Sequence, residues 1–128
     1  MSNNKPIKIK LVIEEAKDKD GKVVKLMNPE TRKEEVNYKR NDIFGLLGLL
    51  RKFDTKIHTM QDWKQSIKLK DKLSNAYVND LEEIDLSLEE ATFLKLYLKE
   101  YSEKEGKTSD TPEFELRTLF GVLEQFGE

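Results

Sequence analysis

The stretch Ile84-Asp85-Leu86-Ser87-Leu88-Glu89-Glu90-Ala91-Thr92-Phe93-Leu94-Lys95 constrains the fold more than any other, because it marks where a helix begins and which side of it must be covered. The Ser87 hydroxyl can accept from the backbone N–H of Glu90, while the Glu90 carboxylate accepts from the N–H of Ser87. Two donors that every helix start leaves free are then satisfied reciprocally. Leu86 and Ala91 bracket this box as a weak hydrophobic staple. Downstream, Leu88, Ala91, Leu94, Leu98 and Tyr101 fall in one row, widened by Phe93, Leu96 and Tyr97, and the helix is expected to reach about Glu103. Glu89, Thr92, Lys95 and Lys99 mark its wet side.

Three more helices are readable. Asn41 or Asp42 can cap a helix whose Ile43, Leu46, Leu47, Leu50 and Phe53 share a face. Phe44 and Leu49 lie off that stripe, so this helix is either buried on most sides or carries an exposed docking patch. Gly45 and Gly48 each cost about 1 kcal/mol relative to Ala within a helix, which asks for close approach of a neighbour or, alternatively, for a hinge or a partner groove. From about Asp62 to Asn79 a second helix offers Trp63, Ile67, Leu73, Ala76 and Tyr77 for packing. Thr111-Pro112-Glu113 opens the last helix, with Thr111 as cap and Pro112 at its first position. That helix packs through Leu116, Leu119, Phe120, Leu123 and Phe126, leaving Phe114 and Val122 outside the stripe as a possible oligomer surface.

The N-terminal region reads differently. Ile7, Ile9, Leu11 and Ile13 alternate with Lys8, Lys10, Val12 and Glu14, the period of a half-buried strand. Asp20-Gly21 supplies a tight turn, after which Lys22–Met27 is expected to return as the second strand of a hairpin. Glu34 to Lys39 is a candidate third strand. Asp18, Asp20 and Gly21 echo a calcium loop, but Ala16 and Met27 stand where its first and closing ligands belong. The expected fold class is α+β: an N-terminal β-hairpin packed on about four α-helices in a single domain over 1–128. Within it, residues 1–6 are expected as a flexible arm, 7–40 as the hairpin region and 41–128 as the helical region.

Charge narrows the function classes. The net charge of −2 conceals +5 over residues 1–58 and −7 over 59–128, which fits attraction between the halves within one fold, or a face for a charged partner. With no Cys there is neither a thiolate nucleophile nor a Cys-based metal site, and a lone His58 is a poor metal ligand. No Gly-rich phosphate loop, Gly-x-Ser-x-Gly elbow or His-Glu-x-x-His appears. No catalytic residue, cofactor or metal is therefore expected. The opening residues lack the apolar core of a signal peptide, so the cytoplasm is the default location and no membrane partner is expected.

The order of pieces resembles small accessory proteins of tailed bacteriophages and prophages. It runs from the Asp20-Gly21 hairpin and the helix at Ile43 to Phe53, through Lys68-Leu69-Lys70-Asp71-Lys72-Leu73 and Ile84-Asp85-Leu86-Ser87-Leu88-Glu89-Glu90, to a short amphipathic helix. The resemblance implies a setting only, a bacterial cytoplasm during infection and a role in assembly or in meeting a host protein. Two functions follow as expectations. The first is a non-enzymatic protein-binding or assembly module using Phe44, Leu49, Phe114 and Val122, with a host protein, a virion protein or a second copy as partner. The second is nucleic-acid binding by Lys64, Lys68, Lys70 and Lys72, with Trp63 beside them to stack on a base. The same lysines could equally be a solvated helix face.

Overall fold

The computed structural model describes residues 7–27, 29–53, 59–104 and 111–127. The expected arm at 1–6, the loop holding His58 and the polar loop at 106–110 lie outside the described residues. The elements in chain order are β1 (Ile7–Lys10), β2 (Ile13–Glu15), β3 (Lys25–Met27), β4 (Glu34–Val36), β5 (Tyr38–Asn41), α1 (Asp42–Arg51), α2 (Met60–Val78), β6 (Glu83–Leu86), α3 (Leu88–Glu103) and α4 (Glu113–Gln125). The class is α+β, as the alternation and the helical stripes predict.

Strand partners depart from the simplest reading of the sequence. The Asp-Gly turn does form. Asp18 donates its N–H to the Lys22 carbonyl, Asp18 Oδ1 accepts from the N–H groups of Asp20 and Lys22, and Lys17 bridges Val23. The returning segment, however, does not extend alongside Ile7–Ile13. β1 pairs antiparallel with β6, in register Ile7 with Leu86 and Lys10 with Glu83. β2 pairs with β5 and β3 with β4. The acidic segment before α3 is thus half strand. Ile84 and Leu86 face inward with Ile9 while Glu83 and Asp85 face out.

The core is built where helices meet β1 and β6. Ile9, Leu11, Ile43, Leu46, Leu49, Leu50, Leu69, Leu73, Leu86, Leu94, Leu98, Leu119 and Val122 are among its buried side chains. α1 is therefore buried on most sides, and Gly45 and Gly48 explain how. A Cβ at Gly45 would collide with the Thr118 side chain, and one at Gly48 with the Glu115 carboxylate, so α1 and α4 approach through missing side chains. The Thr118 hydroxyl donates to the Asn41 carbonyl, and Lys52 pairs with Glu115 along the same seam. Lys52 with Glu115 and Lys8 with Glu83 join the basic and acidic halves of the chain.

Helix ends follow local chemistry, with one exception. Asn41 caps α1 by accepting from Phe44 N–H, Thr59 caps α2, and the Ser87–Glu90 box is complete. At α4 the cap position falls to Pro112, and no side chain bonds there. Thr111 instead shares a buried hydrogen bond of 2.6 Å with the Tyr101 hydroxyl, so tertiary pairing with α3 wins over local capping. Glu113 and Glu115 still place acid in the first turn, where the helix dipole favours it. Facing in α4 also differs from the expected stripe, with Val122 fully buried and Phe120 56% exposed.

Both edges of the β1–β6 pair are covered by side chains. The Gln125 amide accepts from the Lys10 N–H and donates to the Lys10 carbonyl, as a neighbouring strand would. On the β6 side, Lys72 Nζ donates to the Asp85 carbonyl. These bonds occupy Lys10 on one edge and the Asp85 carbonyl on the other, backbone groups that an added strand would otherwise pair with.

Candidate functional site

The four off-stripe apolar residues divide into two pairs. Leu49 and Val122 are wholly buried, so neither can contact a partner. Phe44 and Phe114 are half-buried and line one depression of about 550 Å³ together with Glu35, Val36, Asn37, Tyr38 and Tyr77. Phe44 lies edge-on to Tyr38 at 6.0 Å between ring centroids and tilted against Tyr77 at 5.2 Å. A second depression of about 730 Å³ adjoins it, sharing Tyr38 and Tyr77, and is lined by Lys10, Leu11, Val12, Ile13, Asn41, Ile43, Ala76, Asp80, Leu81, Glu82 and Glu83. Together they make an aromatic trough between the β2–β5 ladder and the C-terminal end of α2.

Each wall of the trough is fixed by its own local physics. Asn41 ends β5 and Asp42 begins α1, which brings Phe44 in the first turn of the helix against the edge of Tyr38. Asp42 is fully buried, yet its carboxylate accepts from Val12 N–H at 2.8 Å and from Arg40 Nε and a terminal guanidinium nitrogen at 2.8 and 3.0 Å. It also sits in the first turn of α1, where negative charge is favoured. The hydrogen bonds from Arg40 to Asp42 hold the guanidinium above its ordinary pKa despite partial burial, and with Val12 the pair ties the chain entering β2 to β5 and α1. On the opposite wall, α2 ends with Asp80 in the left-handed region at φ 51°. Leu81 N–H then bonds back to the Ala76 carbonyl and Asp80 N–H to that of Tyr77. This closure is a Schellman cap made without glycine, and it turns Tyr77 and Leu81 outward at the rim.

The trough is apolar at its base and carries hydroxyls and carboxylates at its lip. Tyr77 is 57% exposed, and Ile13 and Leu81 are also exposed. Burial, then the neighbouring Glu15 and Tyr77, raise the Tyr38 pKa above its ordinary value, so its hydroxyl keeps its proton and can donate to an incoming carbonyl. Glu15, Glu35, Asp80, Glu82 and Glu83 stand around it against Lys10.

The lysine row holds its helical spacing on α2 but divides in use. Lys72 Nζ donates to Glu90 Oε1 at 2.8 Å as well as to the Asp85 carbonyl, tying α2 to the capping box of α3. Burial pushes the Glu90 carboxyl up, but the bonds from Lys72 and from Ser87 together outweigh it and leave its pKa below the ordinary value. Lys70 lies over the Trp63 ring at 5.3 Å, and that ring tilts against Phe53 at 5.7 Å, so Trp63 is a packing anchor. Lys64 and Lys68 stand exposed.

Tyr38 and Tyr77, the residues that join the two depressions, were readable in sequence only as strand and packing residues. The available signal was Tyr77 at the last turn of α2, next to core Ala76 and before the Asn79-Asp80 stop. Among the described residues, no cluster of His, Asp or Glu could hold a metal ion, and no helix is long and apolar enough to cross a membrane. Neither a known protein family, nor a curated protein, nor a solved structure matches this chain.

Proposed function

We propose that this chain is a non-enzymatic protein-binding module that seats a partner in the trough centred on Tyr38 and Tyr77. The observation that carries the reading is the meeting of Phe44 and Phe114 with two further aromatic rings in one open depression. Tyrosine suits such a role because it offers a large apolar surface with a polar tip and loses little rotamer entropy on binding. Among the described residues, the lining joins aromatic rings to carboxylates at the lip, a combination suited to gripping a polypeptide. The resemblance to phage accessory proteins supplies the setting, a bacterial cytoplasm with a host or virion protein as partner. Nucleic-acid binding by Lys64, Lys68, Lys70 and Lys72 draws less support, since Lys72 is committed to Glu90 and Lys70 to Trp63.

The test is site-specific cross-linking. A photoreactive phenylalanine analogue replaces Tyr77, and in a parallel variant it replaces Leu96, which is exposed on α3 away from the trough. Illumination in bacterial lysate is expected to give a discrete heavier adduct from position 77 and none from position 96. Equal labelling from both positions, or none from either, rules the docking reading out.

A further inference from the structure

The run from Ile7 to Asp18 turns its backbone groups alternately to two sides, as extended chain must. On one side every second residue is engaged. Lys10 is held by Gln125, and Val12 donates to the Asp42 carboxylate and accepts from the Asp42 N–H. Ala16 donates to the Asn37 carbonyl and accepts from Val24 N–H, and Asp18 donates to the Lys22 carbonyl. On the other side, Leu11 donates to Glu82 where β1 runs beside β6, and there the neighbouring strand stops, because the chain before Glu82 turns into the Asp80 cap. Ile13, Glu15 and Lys17 therefore direct their N–H and C=O groups to a side that β6 does not reach. The carbonyl of Asn41, which stands opposite Ile13, accepts from the Thr118 hydroxyl, in keeping with this alternation. Among the described residues no strand pairs with this edge, which runs along the trough, since Ile13 lines it and Glu15 is the cross-strand neighbour of Tyr38.

We infer that the partner binds as an added strand. An extended segment pairs with Ile13, Glu15 and Lys17 in line with β6, lays alternate apolar side chains against Tyr38, Tyr77 and Leu81, and carries Lys or Arg toward the acidic lip. The inference rests on the docking reading and specifies its mode and chemistry. Main-chain pairing at an open edge supplies affinity in such complexes, and pockets for every second side chain supply selectivity. Charge selects the occupant. Glu14, Glu15, Asp80, Glu82 and Glu83 outnumber Lys10, Lys17 and Lys39 along this edge and the trough beside it, so a cationic segment is drawn to it. A second copy, docking edge to edge, would bring its own Glu15, Asp80 and Glu82 against these carboxylates.

The experiment presents a displayed library of random dodecapeptides to the intact chain. Enriched peptides are expected to alternate aliphatic or aromatic residues with Lys or Arg. N-methylation of one such peptide, one residue at a time, is expected to abolish binding at every second position, because only those N–H groups face β2. Tyr77→Ala and Glu15→Pro should each weaken binding about tenfold or more, and Glu15→Gln by less. Proline is tolerated at an edge position whose N–H faces solvent, and circular dichroism checks that the variant folds. If it does not fold, the N-methyl series still decides.

Acidic or neutral peptides, uniform tolerance of N-methylation, or no enriched peptide at all overturn the inference. So does sedimentation showing a dimer that Glu15→Pro dissolves. If cross-linking from position 77 persists in any of these cases, docking stands and only the strand mode is lost. If it is absent too, both fall.

Discussion

Phe44 and Leu49 make the same impression in the sequence, as large apolar residues off the main stripe of one helix, yet they end in opposite places. Leu49 is turned into the seam where α1 meets α4 and α3, and its carbonyl accepts from the Tyr97 hydroxyl. Phe44 is turned toward the end of α2 and stops at the rim of an open trough. The seam is closed because Gly45 and Gly48 let α4 come near, and Thr118 and Glu115 fill the space that side chains would have taken. The trough is open because the Asp80 cap turns the chain away before it can cover Tyr77. Surplus apolar surface on a helix thus says nothing by itself about docking. What decides is whether a neighbouring element is allowed to approach.

Substitutions break this contrast in graded ways. The largest effect is expected from Leu49→Ala, which opens a cavity in the seam and should lower stability by about 3–5 kcal/mol, while Tyr77→Ala on the trough side should cost less than about 1 kcal/mol. Urea unfolding of the two variants checks this, and equal losses would erase the distinction between the regions. Next is Gly45→Ala, expected to cost about 2–3 kcal/mol because Thr118 is buried and bonded to Asn41 and cannot step aside. Gly48→Ala meets only the end of the Glu115 side chain and gains helix propensity, so its net cost should stay below about 1 kcal/mol.

A pH series sharpens the comparison further. Glu90 has a folded-state pKa below the ordinary 4.5, so its contribution is whole above that value and is lost as pH falls through the lowered one. Glu90→Gln is expected to cost about 1–2 kcal/mol at neutral pH through the lost pairing with Lys72 and the weakened box. Urea midpoints of the two proteins should converge on acidification, and parallel curves would show that another carboxylate governs acid stability. The remaining effect is a gain. Asp80→Gly relieves the left-handed strain and removes a negative charge from a helix C-terminus, for about 1 kcal/mol in stability by the same measurement.

What could be read from sequence was whatever a few neighbouring residues decide among themselves. The Ser87–Glu90 box, the Asn41 cap, the Asp20-Gly21 turn and the four helices all belong there. The identity of partners did not. Nothing local to Ile7–Lys10 says that β6 rather than Lys22–Met27 will pair with it, and the Ile84–Leu86 strand was hidden behind the helix start that follows it. Thr111 reads as a cap because its competing partner, the Tyr101 hydroxyl, lies on another helix. The candidate site shows the same limit. Phe44 and Phe114 were visible as residues without a place, but their meeting with Tyr38 and Tyr77 depends on how β5, α1, α2 and α4 pack.

The grip of Gln125 on both backbone groups of Lys10 ties the last turn of α4 to β1 across almost the entire described chain. α1, made early, likewise finds its glycine-lined seat only on α4. A ribosome synthesising this chain therefore delivers β1 and α1 long before their partners exist, and their apolar faces must wait. Native closure is expected to be a late, largely all-at-once event rather than a growth from the N-terminus, as long-range contacts imply for folding speed. Protease resistance of the core in stalled chains lacking α4 would contradict that order. Its absence until α4 emerges would mean that the half-made protein depends on other molecules to shield it.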